Sequence, residues 1–157
     1  MEKLIFPLSK LLEGLEMVSR DCTVYMHKKT YEFIIITDED LRTYDIYRSD
    51  EDQTLLEWEK DMMHLLDDVL YQKKDEYIIL PDSFELHEHK IMERFSYTLS
   101  DTLRDDFLNA IFRKGAFQRF QQLLIHYGLR DIWFEYKRKS YLEKLIAWCE
   151  EQGYAYE

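Results

Sequence analysis

The residues most able to do chemistry are five histidines, two cysteines and a cluster of cations near the C-terminus. His87-Glu88-His89 offers two imidazoles from one side of an extended segment, but no spacing fixes a third ligand, and zinc needs three or four. Asp61-x-x-His64-x-x-Asp67 sets a carboxylate one helical turn on either side of an imidazole, the geometry of ordinary helix-surface pairs. His27 and His126 stand alone. No phosphate-loop, dinucleotide, nucleophile-elbow or zinc-protease pattern accompanies these groups. Cys22 and Cys149 are too far apart in sequence for a paired-cysteine motif, and the expectation is two reduced thiols in a cytoplasmic protein. The sequence thus predicts no catalytic set, no metal and no cofactor.

Arg119 lies between Phe117 and Phe120, both expected to be buried. A guanidinium there needs a partner. One reading is an internal ion pair with a carboxylate of a neighbouring helix; the other is an anchor for an anion, which its planar fork suits. Gly115 carries a similar pair of readings: a tight junction between helices, or free N–H groups at a helix start that receive an anion. Downstream, Tyr127, Trp133, Phe134, Tyr136 and Tyr141 alternate with Arg130, Lys137, Arg138 and Lys139. Basic residues among aromatics suit both a single-strand nucleic-acid platform and a protein interface. The candidate anion- or partner-binding residues are therefore Arg113, Lys114, Gly115, Arg119, Trp133, Tyr136, Lys137, Arg138 and Lys139.

Several of these residues belong to a longer pattern. Ile79-Leu80-Pro81, Ile91-Met92-Glu93 and Phe95 lead to Leu108, Ala110-Ile111 and Gly115-Ala116-Phe117-x-Arg119-Phe120. Trp133, Tyr136, Trp148 and Glu151-Gln152-Gly153 follow. This half of the chain, about Tyr77 to Gly153, resembles an uncharacterised bacterial protein family of the UPF type. Members usually carry a second Gly, a second Arg and a Lys-Asp pair around that element, where this chain has Arg113, Gln118, Gln121 and Gln122. The resemblance implies a shared fold and a bacterial source, and no activity.

These side chains need elements to hold them. Leu8, Leu11, Leu12, Leu15 and Val18 mark one face of a helix. Cys22 to His27 and Tyr31 to Thr37, rich in β-branched and aromatic residues and split by Lys28-Lys29-Thr30, read as an antiparallel hairpin whose second strand is covered on both faces. Thr37 or Asp38 caps a helix over Leu41 to Arg48. Leu55 to Tyr71 is an amphipathic helix with Leu55, Trp58, Met62, Leu65, Leu66 and Val69 on its stripe. Tyr77 to Leu80 is a third short strand. Helices follow over Phe84 to Leu99, Asp101 to Arg113, Ala116 to His126 (Phe117, Phe120, Leu123 and Leu124 inward) and about Asp131 to Gln152, stopped by Gly153. The expectation is an α+β fold: a small antiparallel sheet packed with amphipathic helices and a helix-dominated C-terminal half. With no Ser, Gly or Pro-rich linker, the sequence places all 157 residues in one domain.

Charge narrows the partners. The net charge is −11, which repels nucleic acid and anionic membrane at long range. It is divided unevenly: residues 38–76 hold 14 acidic and 5 basic side chains, and residues 112–144 hold 3 acidic and 8 basic. Either the two regions pack together within the chain, or they favour a homodimer in which each copy's basic face meets the other's acidic helices. No apolar run is long enough to span a membrane. The leading expectation is a non-enzymatic interaction or regulatory module of a bacterial cytoplasm. The alternatives are a nucleic-acid or nucleotide-phosphate binder using Arg113, Lys114, Arg119, Lys137, Arg138 and Lys139, and an enzyme of unrecognised type.

Overall fold

The computed structural model describes residues 4–49 and 55–157. Its centre is an antiparallel sheet of β2 (Cys22–His27), β3 (Phe33–Thr37) and β4 (Tyr77–Ile79), with β2 in the middle. Tyr25 faces Ile34 on one side and Ile79 on the other, and Met26 likewise joins Phe33 to Ile78. Because side chains alternate across a strand, each row serves one face of the sheet. Val24, Met26 and Ile78 enter the main core, whereas Tyr25, Ile34, Ile36 and Tyr77 belong to a second, smaller one. The expected hairpin forms, but its second strand begins at Phe33 and is not covered throughout: Ile35 is exposed on the edge strand.

The second core lies beneath α2 (Asp38–Ser49) and α3 (Glu57–Asp67). Thr37 starts α2: its hydroxyl accepts from the Asp40 N–H at 3.0 Å, and the Asp40 carboxylate accepts from the Thr37 N–H at 3.0 Å. This reciprocal cap explains why α2 begins three residues before Leu41. In α3 the buried residues are Met63 and Leu66, while Trp58, expected on the inner stripe, is exposed. Asp68–Gln72 continues the helix as a wider π-helical turn, closed by Lys73 N–H donating to the Asp68 carbonyl at 2.7 Å. Val69, on the expected stripe, is buried in this turn.

The main core fills the other face of the sheet. It joins α1 (Leu8–Leu15) to α4 (Ser83–Leu86), α5 (Glu88–Tyr97), α6 (Asp101–Ile111), α7 (Ala116–His126) and α8 (Arg130–Gln152). Aromatic rings meet edge to face at its heart: Trp133 is 4.7 Å from Phe120 and 5.2 Å from Phe95, and Phe107 is 5.4 Å from Phe120. Near the termini β1 (Ile5–Phe6) pairs in parallel with β5 (Ala155–Tyr156), closed by Leu8 N–H donating to the Glu157 carbonyl at 2.9 Å. The fold is α+β, as the sequence implies.

Two further helices depart from expectation. The continuous helix over Phe84 to Leu99 is broken at His87, whose left-handed backbone (φ 50°) ends α4 and starts α5. Phe117 points outward from the first turn of α7 rather than inward.

Candidate functional site

The break at His87 shapes a cleft of about 1050 Å³ where α1, β2, the start of α2, α4, α5, α7 and α8 converge. Asp82 initiates the break. Its carboxylate accepts from the Glu85 N–H at 2.8 Å, so α4 starts tightly and turns after one turn. The His87 ring then packs against Phe84, 5.3 Å between centroids. The His89 ring bonds the Ile111 carbonyl at 2.8 Å and lies against Phe112. The two imidazoles are thus spent on separate contacts on either side of a helix junction. They do not form the extended two-histidine face that the sequence suggests. Among the described residues no group of three or more metal-ligating side chains converges.

Three phenylalanines rim the cleft and its extension toward the α6–α7 turn. Phe84 is 78% exposed, Phe112 63% and Phe117 54%. Phe117 lines both compartments, and Leu86, Met92 and Ile111 lie beneath them. Fully covering one phenylalanine is worth about 1.5–3 kcal/mol, so three exposed together form an unused store of association energy.

The polar end lies between α5 and α8. Lys137 reaches the Glu88 carboxylate at 2.9 Å, and its ammonium stands over the Tyr141 ring, 5.2 Å from the centroid. Tyr141 is only 5% exposed, yet its hydroxyl makes no hydrogen bond with any described residue. Burial, then the charges of Glu88 and Glu16, push this hydroxyl above its ordinary value. It stays protonated and uncharged through the physiological range. Cys22 also lines the cleft; its thiol donates to the Met17 carbonyl at 3.5 Å and accepts from the Ser19 hydroxyl at 3.2 Å.

The expected site residues are scattered rather than gathered. Trp133, 1% exposed, is at the centre of the main core, and Tyr136 packs on Phe95 at 5.4 Å. Trp133 offers no face to solvent and Tyr136 is half-buried, whereas Phe134 is 49% exposed with the Arg130 guanidinium 5.8 Å from its ring centroid. Arg113, Lys114, Arg138 and Lys139 are exposed, and Lys137 turns into the cleft. Gly115 (φ 81°) takes the left-handed conformation that starts α7.

Arg119 tucks beneath Gly115 and donates from Nε to the Ala110 carbonyl at 3.4 Å, while its buried Nη2 makes no hydrogen bond. No ion pair to a carboxylate forms among the described residues, which corrects the internal-pair expectation. The negative end of α6 stands in for the carboxylate.

The sequence reading missed Glu16, Phe84 and Phe112. The sequence shows Phe84 only as the start of a continuous helix, and the His87 break places it on the cleft rim. Phe112 lies just past the end of α6, where the helical face no longer applies. No protein-family model, curated protein or solved structure matches the chain.

Proposed function

We propose that this chain is a non-enzymatic interaction module that seats a segment of a partner protein in the groove rimmed by Phe84, Phe112 and Phe117. The exposure of these three rings around one cleft carries the reading. Large aromatic side chains that a partner can cover are among the residues that dominate protein association. Two free cysteines support a reducing, cytoplasmic setting. The likeness of Tyr77 to Gly153 to the bacterial UPF-type family enters as a proposal of shared fold and bacterial source. The test is selection from a displayed random-peptide library, with the Phe84→Ser/Phe117→Ser variant as counter-target. Segments that bind the wild type and lose at least about tenfold on the variant, whose melting is unchanged, support the groove. Segments that bind both equally well refute it.

A second reading is self-association, favoured by the placement of charge. The acidic helices α2 and α3 cover one face of the sheet, and α7 and α8 belong to the core on the other. No described ion pair links residues 38–76 to residues 112–144. Two complementary surfaces left apart within one chain favour contact between copies. Sedimentation across a salt series tests this, with association at low salt expected.

A further inference from the structure

We infer that the groove takes a basic segment of its partner, with a lysine or arginine side chain seated at Glu16 and Tyr141 and a neighbouring apolar side chain against Phe84 and Phe117. This rests on the groove being a docking site and names what docks there.

The charges of the central cleft decide the sign. Four carboxylates line it, Glu16, Asp38, Asp82 and Glu88, against Arg20 and Lys137. Two of the carboxylates are already engaged, Glu88 with Lys137 and Asp82 as the cap of α4. The Glu16 carboxylate forms no ion pair among the described residues.

The Tyr141 hydroxyl is the second observation. The Tyr141 side chain is nine-tenths buried, while its hydroxyl opens on the cleft and lacks a hydrogen-bond partner among the described residues. An incoming ammonium or guanidinium donates one N–H to this oxygen and another to Glu16, so one cation satisfies both groups. Hydrogen bonds with a charged member are the strong ones. The Lys137 ammonium beside the Tyr141 ring is already held by Glu88, so an anion at the same place meets the unpaired Glu16.

Size selects a segment over a small amine. The cleft alone is about 1050 Å³, at the upper end of the range for a small-molecule pocket. It also shares Glu88, His89 and Phe117 with the compartment beneath Phe112, and Glu16 and Tyr141 with the one beside Phe134. A chain laid along these compartments places alternate basic and apolar side chains in turn. The −11 charge of the protein draws such a chain in.

Fluorescence anisotropy tests the inference with labelled acetyl-Leu-Lys-Leu-Leu-Lys-Leu-amide and its Lys→Ser and Lys→Glu versions. The expected order is Lys over Ser by about tenfold, with no binding of the Glu peptide. Glu16→Gln should lower the Lys peptide to the level of the Ser peptide. Asp61→Asn, an exposed change on the acidic helix α3, should leave it within about twofold, which separates the groove from general attraction. Equal binding of Lys and Ser peptides, or equal losses from Glu16→Gln and Asp61→Asn, overturns the inference. If the two peptides bind equally and Phe117→Ser removes both, the groove stands and only its preference for cations falls. Benzylamine binding as tightly as the peptide replaces the segment by a small amine. Failure of all three peptides sinks the basic segment and leaves the library selection to judge the groove.

Discussion

At the scale of single residues, the structure replaces charge pairing with packing as the main constraint. Gly14 sits inside α1, where alanine normally helps a helix by up to about 1 kcal/mol. Here an added Cβ meets Leu80 Cδ1 and stands 2.6 Å from Phe33 Cε1. Leu80 is almost fully buried, so moving its Cδ1 disturbs the packed core around it. Gly14→Ala should therefore destabilise by a net of about 1–2 kcal/mol, overpacking exceeding helix propensity. Urea unfolding measures this, and a gain in stability would show that the α1–sheet seam is loose. Arg119 behaves differently. It has a carbonyl partner and a packed aliphatic stem, so Arg119→Ala should cost about 1–2 kcal/mol. A broken buried ion pair costs about 3–5 kcal/mol. A loss of that size in the same unfolding measurement would reveal a carboxylate partner and restore the sequence expectation.

At the scale of elements, α2 and α3 are locked over the sheet by one polar contact inside an apolar layer. The Tyr44 hydroxyl donates to the Asp67 carboxylate, and Tyr44 is almost fully buried among Ile36, Met63, Leu66 and Val69. Burial first, then the bond to Asp67 and its charge, push the Tyr44 hydroxyl up to about 12 from 10. Its folded value lies above its unfolded value, so its contribution to stability is fully present below about pH 10. Above that the unfolded chain releases the proton first, and the contribution is gone by about pH 12. Burial moves Tyr25, Tyr77, Tyr141 and Tyr154 in the same direction. Stability should thus fall steeply between pH 10 and 12, and Tyr44→Phe should flatten that fall. Equal slopes in the two proteins would show that Tyr44 titrates normally. The elements themselves were largely legible. Cys22 to His27 and Phe33 to Thr37 announce a hairpin by β-branched and aromatic content. Gly153 (φ 78°) ends α8 where a helix C-terminus asks for glycine. The two-residue strands Ile5–Phe6 and Ala155–Tyr156 left no local signal, because their pairing joins opposite ends of the chain. The groove was illegible for a related reason. Its rim depends on a one-residue break at His87 that periodicity reads through, and Lys137, Tyr141, Glu88 and Glu16 meet only after α1, α5 and α8 dock.

At the scale of the whole molecule, the division of charge sets two opposing responses to salt. The layer formed by α2 and α3 lies within a region of 14 acidic and 5 basic side chains and meets no basic helix of its own chain through a described ion pair. Like charges held on one face repel, and that repulsion weakens as the screening length falls from about 10 Å at 0.1 M salt to about 3 Å at 1 M. Folding should therefore strengthen with added sodium chloride, seen as a rising melting temperature. Contact between copies draws on the same acidic face and on the exposed Arg113, Lys114, Arg138 and Lys139, so it should weaken over that range. The two faces lie on opposite sides of the sheet, which favours a head-to-tail contact over the closed two-fold dimer expected from sequence. Growth of the weight-average mass with protein concentration at low salt, without a plateau at the dimer, is the expected sedimentation result. A plateau at twice the monomer mass would mean that one surface meets itself. A monomer at every concentration would show that the charged faces are not used for self-contact, leaving the phenylalanine-rimmed groove as the surface on which association depends.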